Sequence, residues 1–350
     1  MLISNEVKLD FDDVLMVPQR STLSSREEVE LERKFLFYHS PRELTVVPIF
    51  CSNMTTVATF EMATVLSKFK MITCLHKYYS CEELCSYFNK SGSIDYNWVS
   101  IGYKGNDLDK LKELADKGVV PNIVIDVPNG HMQSFVSFCN EVRHAFPVSI
   151  ICAGNVCTPE MTQELIIHGG VDIVKLQIGP GAACTTRKMT GVGYGTLSCV
   201  IECAHVAHGL KYQDKRLGLV CSDGGCRYPG DVCKALGANA DFVMLGSYFA
   251  GTDECDPEEW VYDEDNQKKS MLFYGMSTHY AQEKYAEGRK EYRASEGAMI
   301  DIPYKGPVRE SVLEMLGGIR SSCSYIGADS VKNMGKCAKF IRVSKIHQDF

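Results

Sequence analysis

Eight short apolar runs, most of them separated by amphipathic stretches, constrain this chain more than any other feature of it. They occupy residues 46–51, 71–75, 98–102, 122–127, 149–153, 172–178, 217–221 and 241–245. Between them, residues 59–68, 107–117, 131–146, 158–168, 197–208 and 228–236 carry apolar side chains at helical spacing. A continuous apolar strand is buried on both faces, which is the condition of a parallel sheet covered by helices. Eight strand–helix units at a spacing of roughly 25 residues predict an α/β fold of the closed (β/α)8 TIM-barrel type. An open doubly wound sheet is the runner-up. Its dinucleotide fingerprint is missing, because Gly191-Val192-Gly193-Tyr194-Gly195 has the wrong spacing and follows the sixth strand instead of the first.

In a barrel, chemistry gathers where strands run out into loops at their carboxyl ends. Polar residues stand at those ends here: Asn53, His76-Lys77, Asp126, Asn155, the loop around Cys184, Asp223 and Ser247. Beyond the eighth strand, residues 252–305 are acidic at first and polar throughout, too poor in apolar residues for a second core. They predict a flap or insertion within a single catalytic domain that spans 1–350.

The 350 residues carry a net charge of −7 and no long basic run, which argues against nucleic acid or an anionic membrane as partner and leaves a small molecule. The N-terminus has no apolar leader and no window is long enough to span a bilayer, so a cytoplasmic protein is expected. Sixteen cysteines lie scattered through apolar runs, a pattern of buried thiols rather than a disulfide framework. No C-x2-C pair occurs, and Cys203, His205 and His208 do not share one helical face as zinc ligands would.

One cysteine differs from the rest. The segment Gly179-Pro180-Gly181-Ala182-Ala183-Cys184-Thr185-Thr186-Arg187 surrounds its sulfur with glycines, which admit a ligand close to the backbone, and with hydroxyls that can give or take a proton. It reads as a nucleophile loop, against the alternative of a tight turn around an inert thiol. Three further glycine-bearing pieces, Ser222-Asp223-Gly224-Gly225, Leu245-Gly246-Ser247 and Gly275-Met276-Ser277, can ring a phosphate near the last two barrel strands. Asp223 would repel that phosphate, so a ribose hydroxyl is its sensible partner. A nucleoside monophosphate meets both needs.

The order of motifs resembles the GMP reductase and IMP dehydrogenase family over nearly the whole chain. The residues carrying the resemblance are Leu9-Asp10-Phe11-Asp12-Asp13-Val14-Leu15, the loop from Gly179 to Gly193, Ser222 to Gly225, Phe273 to Ser277, Tyr292 to Gly297, Tyr304-Lys305-Gly306-Pro307 and Gly317-Gly318-Ile319-Arg320. Glu291-Tyr292-Arg293-Ala294-Ser295-Glu296-Gly297 and the absence of a regulatory insertion between the second and third strands are similar to the reductase branch. The resemblance implies reductive deamination of GMP by NADPH to IMP and ammonia, through a thioimidate on Cys184, with Thr186 and Glu296 relaying protons to the departing amine. It implies that Asp223, Gly224, Gly225, Gly246, Ser247, Gly275, Met276, Ser277, Arg293, Ser295 and Gly297 hold the nucleotide. NADPH would meet Lys77, Asp126, Val127, Pro128, Ile178 and Gly179, with Ser25, Arg26, Ser321 and Ser324 reaching it from a neighbouring copy in a homotetramer. A potassium ion would rest on carbonyls of Gly179, Gly181 and Cys184 beside Arg187.

Read singly, Thr186 is also a helix N-cap, Glu296 an exposed flap carboxylate, and Lys77 and Arg26 solvated cations. Three positions depart from the family pattern: Thr55 where aspartate is usual, Tyr103 where reductases carry a small hydroxyl residue, and Gly195 where proline is usual. Competing readings are an IMP dehydrogenase without the regulatory insertion, a non-catalytic nucleotide-binding barrel, and a Schiff-base enzyme acting through Lys175.

Overall fold

The computed structural model describes residues 3–90, 93–103, 105–285 and 294–344. Eight parallel strands close into a barrel: Ile49–Cys51, Ile72–Leu75, Asn97–Ile101, Ile123–Asp126, Ile151–Val156, Ile173–Leu176, Leu219–Asp223 and Phe242–Leu245. Each lies within or overlaps one of the eight apolar runs, and the pairing of Val243 with Ile49 closes the ring. The expected TIM barrel is therefore the observed fold. Helices Phe60–Lys68, Asp107–Asp116, Gln133–Ala145, Pro159–Ile167, Thr196–Gly209 and Pro229–Gly237 follow the strands as the periodicity predicts. Two more, Cys81–Lys90 and Val308–Ile326, complete the helical layer without having been legible as periodic segments.

Alternation along the strands decides what fills the barrel. Phe50, Ile72, Cys74, Trp98, Val124, Cys152, Ile173, Leu219, Cys221, Phe242 and Met244 form one interior cluster. It is closed at its amino-terminal end by a hairpin, Arg33–Leu36 against Glu43–Val46, whose Phe35 ring stacks 4.3 Å from that of Phe242. Two residues further along three of these strands the inward positions turn polar. Asp126 follows Val124, Lys175 follows Ile173, and Asp223 follows Cys221, so the carboxyl-terminal mouth has a charged floor directly above an apolar column.

Residues 252–305 contribute a three-stranded antiparallel sheet, Trp260–Tyr262, Lys268–Tyr274 and Met299–Pro303. Met271 and Phe273 are buried in one cluster with barrel residues and dock the sheet, and Tyr274 beside them is buried as well. All sixteen cysteines are free thiols; thirteen are buried, and Cys184 is one of the three that are not. Among the described residues no helix is long and apolar enough to cross a membrane.

Candidate functional site

The sixth strand runs into the cysteine loop through a backbone that few residues tolerate. Gln177 has φ 87°, held by side-chain bonds from its amide to Ser222 Oγ (3.0 Å) and Thr196 O (3.4 Å). Gly179 follows at φ 91°, where a Cβ would also fall 2.6 Å from Arg187 Cγ, so only glycine fits. The Cys184 amide then donates to Gly181 O at 2.9 Å, and a short helix, Thr186–Thr190, begins two residues later. Its N-cap is Thr185, with no side-chain capping bond. Thr186 is thus not the cap, and its hydroxyl is spent elsewhere.

That hydroxyl lies 3.1 Å from Cys184 Sγ and donates to Glu296 Oε2 at 2.8 Å. Glu296 is 110 residues away, and main-chain pairing brings it there. Cys184 and Gly297 form an antiparallel bridge, Thr185 N donates to Glu296 O (2.9 Å), and Ala298 N donates to Ala183 O (2.8 Å). A Cβ on Gly297 would sit 2.9 Å from Thr278 N, so glycine is needed for the flap to lie this close. Glu296 is accordingly half-buried and not an exposed flap carboxylate. A thiol, a hydroxyl and a carboxylate in line can pass a proton between the sulfur side and the flap.

The other expected nucleotide contacts gather around this centre from two sides. On the flap side, Ser295 Oγ donates to Ser277 O and to Gly297 O (both 3.4 Å), Gly275 lies against Ala183 O, and Met276 Sδ meets the hydroxyl of Thr55 at 3.8 Å. On the barrel side, Gly224 and Gly225 take φ 82° and 76° and pack on Pro180 and Gly181. Gly246 closely approaches Ser52 and Met54, and Ser247 O accepts from Lys305 Nζ at 3.2 Å. Arg293 lies outside the described residues.

Asp126 and Asp223 face one another across Lys175, whose ammonium donates to Asp126 Oδ1 (2.6 Å), Asn155 Oδ1 (3.0 Å) and Asp223 Oδ2 (2.7 Å). All three of its N–H donors are spent, and the residue is 3% exposed. Burial alone would lower its pKa; the two carboxylates outweigh burial and raise it. A lysine so held is a poor amine nucleophile, which speaks against the competing Schiff-base reading. Burial likewise pushes the Asp126 carboxyl up, but the charge and hydrogen bond of Lys175, with the Asn53 amide at 3.1 Å, hold it below the ordinary value.

Near Asp126, Val127 is buried, Pro128 is exposed, and Ile178 precedes the Gly179 turn. Lys77 stands on the loop after the second strand, which Lys110 clamps by donating to the carbonyls of Lys77 (2.8 Å) and Tyr79. Ser25, Arg26, Ser321 and Ser324 form a different patch. Arg320, on the helix Val308–Ile326 that carries Ser321 and Ser324, donates to the carbonyls of Arg26, Glu27 and Val29, and the described contacts of this patch do not include the Cys184 loop.

Arg187 lies beside Gly179, with its guanidinium directed elsewhere. Its guanidinium pairs with Asp10 (3.0 and 3.3 Å) and donates to Thr196 Oγ1 and Tyr194 O. Sequence reasoning left Asp10 without a role and did not find the partners of Lys175; a charge inside an apolar strand was the available signal for the latter. Gly195 is also explained, since a Cβ there would meet the backbone of Lys8 and Leu9 at 2.7–2.9 Å. Among the described residues no cluster of His, Cys, Asp or Glu could hold a metal.

The family model described as the IMP dehydrogenase / GMP reductase domain matches residues 8–349. Curated proteins named GMP reductase from Shigella boydii serotype 4 (strain Sb227) and Escherichia coli O1:K1 / APEC are each 48% identical over 348 residues, covering 99% of this chain and 97% of theirs. A crystal structure of a GMP reductase variant from Trypanosoma brucei in complex with guanosine 5'-monophosphate superposes with a TM-score of 0.83 at 23% identity, covering 97% and 96% of the two chains. At that identity the superposition speaks for the barrel alone.

Proposed function

This chain belongs to the IMP dehydrogenase / GMP reductase family, and from that premise we propose that it is an NADPH-dependent GMP reductase, converting GMP to IMP and ammonia through a thioimidate on Cys184. The observation that carries the reading is the line Cys184 Sγ, Thr186 Oγ1, Glu296 Oε2, with spacings of 3.1 and 2.8 Å. Cys184 as thiolate forms a bond to the purine carbon bearing the amino group, and the C–N bond to that group breaks. The departing nitrogen needs a proton, because ammonia leaves and an amide anion does not. The proton that the Cys184 thiol gives up can pass through Thr186 to Glu296 and return along the same line to the departing nitrogen. In the second half, the C–S bond breaks as a hydride reaches the same carbon, and the thiolate is restored with IMP as product. NADPH, when bound, supplies the hydride.

The residues present fit these ligands. Asp223 offers a ribose acceptor beside the Gly224–Gly225 turn, and Gly246, Ser247, Gly275, Met276, Ser277, Ser295 and Gly297 border the same mouth; Arg293 is assigned by motif. Asp126, held ionised, can accept from the hydroxyls of the nicotinamide ribose, with Lys77, Val127, Pro128, Ile178 and Gly179 around it. Ser25, Arg26, Ser321 and Ser324 offer the hydroxyls and cation an adenosine phosphate requires. Their placement away from the Cys184 loop favours a contribution to a neighbouring copy, in a homotetramer. A potassium ion has its oxygen donors in the carbonyls of Gly179, Gly181 and Cys184; Arg187, committed to Asp10, would support the loop rather than the ion. The whole of 1–350 acts as one cytoplasmic catalytic domain, with 252–305 as its flap.

The test is nicotinamide absorbance with GMP and NADPH, run beside IMP and NAD. GMP-dependent oxidation of NADPH, lost in Cys184→Ala, is expected. Turnover of IMP with NAD alone would make the chain a dehydrogenase, and a GMP-induced rise in melting temperature without turnover would make it a binding protein.

A further inference from the structure

The floor of the barrel mouth holds two carboxylates and one ammonium. Asp223 belongs to the nucleotide side and Asp126 to the nicotinamide side, yet both accept from the same Lys175 nitrogen, at 2.7 and 2.6 Å. Asn155 ties the two halves further: its Oδ1 accepts from Lys175 (3.0 Å) while its Nδ2 donates to Asp223 Oδ2 (2.8 Å) and to Gln177 O (2.9 Å). Strand five comes this close to strand six only because residue 154 is glycine; a Cβ there would lie 2.1 Å from Lys175 O. Lys175 itself is buried, with its donors exhausted inside the protein, so it is not available to a ligand.

Resting on the assignment of Asp223 and Asp126 given above, we propose that Lys175 is the positioning residue on which both ligand subsites depend: one buried ammonium, bonded to both, holds the nucleotide-facing and the nicotinamide-facing carboxylates aimed and tolerable side by side. Without it, two half-buried carboxylates are left as neighbours with no cation between them, and the repulsion turns them out of their bonded positions. A carboxylate turned from the mouth no longer presents its acceptor oxygens, so the hydroxyls of both ligands lose their partners together. The defect is one of charge and not of shape, which makes it repairable by removing a negative charge.

The experiment measures dissociation constants of GMP alone and of NADP+ alone, by calorimetric titration, for the parent, Lys175→Met, Asp126→Asn and the double variant Lys175→Met/Asp126→Asn, with melting temperatures alongside. Lys175→Met is expected to weaken both ligands by about tenfold or more. In the double variant GMP affinity returns to within about threefold of the parent while NADP+ stays weak, because Asp223 no longer faces an unscreened neighbour. If Lys175→Met fails to fold, recovery of folding in the double variant supports the same conclusion, and failure of both overturns it. Parental affinity for either ligand in Lys175→Met, or no repair of GMP binding by the second substitution, also overturns it. A parent that binds no GMP would instead refute the proposed function.

Discussion

Asp10 anchors the catalytic loop from outside the barrel, and replacing it separates stability from positioning. Its Oδ1 accepts from Thr196 N at 2.7 Å, standing in for the cap that Gly195, at the N-cap of helix Thr196–Gly209, has no side chain to provide. Both oxygens take the Arg187 guanidinium, at 3.0 and 3.3 Å. A lost N-cap costs about 1 kcal/mol. The ion pair, with side chains 33% and 44% exposed, is screened by solvent and adds no more than about 1 kcal/mol. Unfolding entropy of about 2.1 cal/mol/K per residue converts 1 kcal/mol into about 1.4 °C for a chain of this length. Asp10→Ala should therefore melt about 3 °C lower, and Asp10→Asn, whose amide oxygen still caps, about 1 °C lower. Arg187 is the next residue after Thr186, so freeing its guanidinium loosens the turn that aims the hydroxyl at Cys184. Misplacement by about 1 Å is enough to cost about a hundredfold in turnover. GMP-dependent oxidation of NADPH should fall by about tenfold or more in Asp10→Ala, far beyond what 3 °C of stability explains at assay temperature. Parental turnover with the lower melting point would show that the clamp serves stability only. Equal melting points for the Ala and Asn variants would show that Oδ1 is not a cap.

Thr186→Val keeps the volume of the side chain and removes the hydroxyl between sulfur and carboxylate; kcat should fall by about 10²-fold or more with little change in melting temperature, and undiminished kcat would take Thr186 out of the proton path. Gly154→Ala should cost about 3 kcal/mol or more, read as a drop in denaturant midpoint, because its Cβ would strike the main chain of Lys175; a parental midpoint would mean that strands five and six lie farther apart. His39 and His76 are each lowered to about 4, chiefly by burial and then by Arg143 and Lys110 respectively. The unfolded chain binds protons at these sites below about 6.5 while the native protein does not, so their contribution is intact above 6.5 and lost as pH falls toward 4. Melting temperatures followed from pH 7 to pH 4 should drop less steeply in His39→Gln and His76→Gln, and unchanged slopes would contradict the assignment.

Barrel strands were legible because burial on both faces leaves nothing but apolar residues to write them with, and that signal needs no knowledge of neighbours. Helix Cys81–Lys90 was missed because its sequence mixes charge with aromatics, and its buried face of Cys81, Leu84 and Tyr87 emerges only when packed. The flap reads as polar because Lys268–Tyr274 opens on Lys268, Lys269 and Ser270, none of them buried, while Met271 and Phe273 are two apolar positions whose partners lie in the barrel. Cys184 stood out by its glycines and hydroxyls. Thr186 and Glu296 were joined to it through family resemblance, since no spacing rule relates residues 110 positions apart.

Composition and periodicity alone determined a closed α/β barrel, its active end, and a loop able to present one thiol. Those properties are local: the pattern of burial along a strand and the φ freedom of a glycine are fixed by a few adjacent residues. Which carboxylate meets the Thr186 hydroxyl, which aspartate holds Arg187, and why a lysine is buried in the sixth strand are matters of contact between segments distant in the chain. A proton path or a buried ion pair depends on distances of about 3 Å, and only closure of the barrel and docking of the flap bring those atoms within that range.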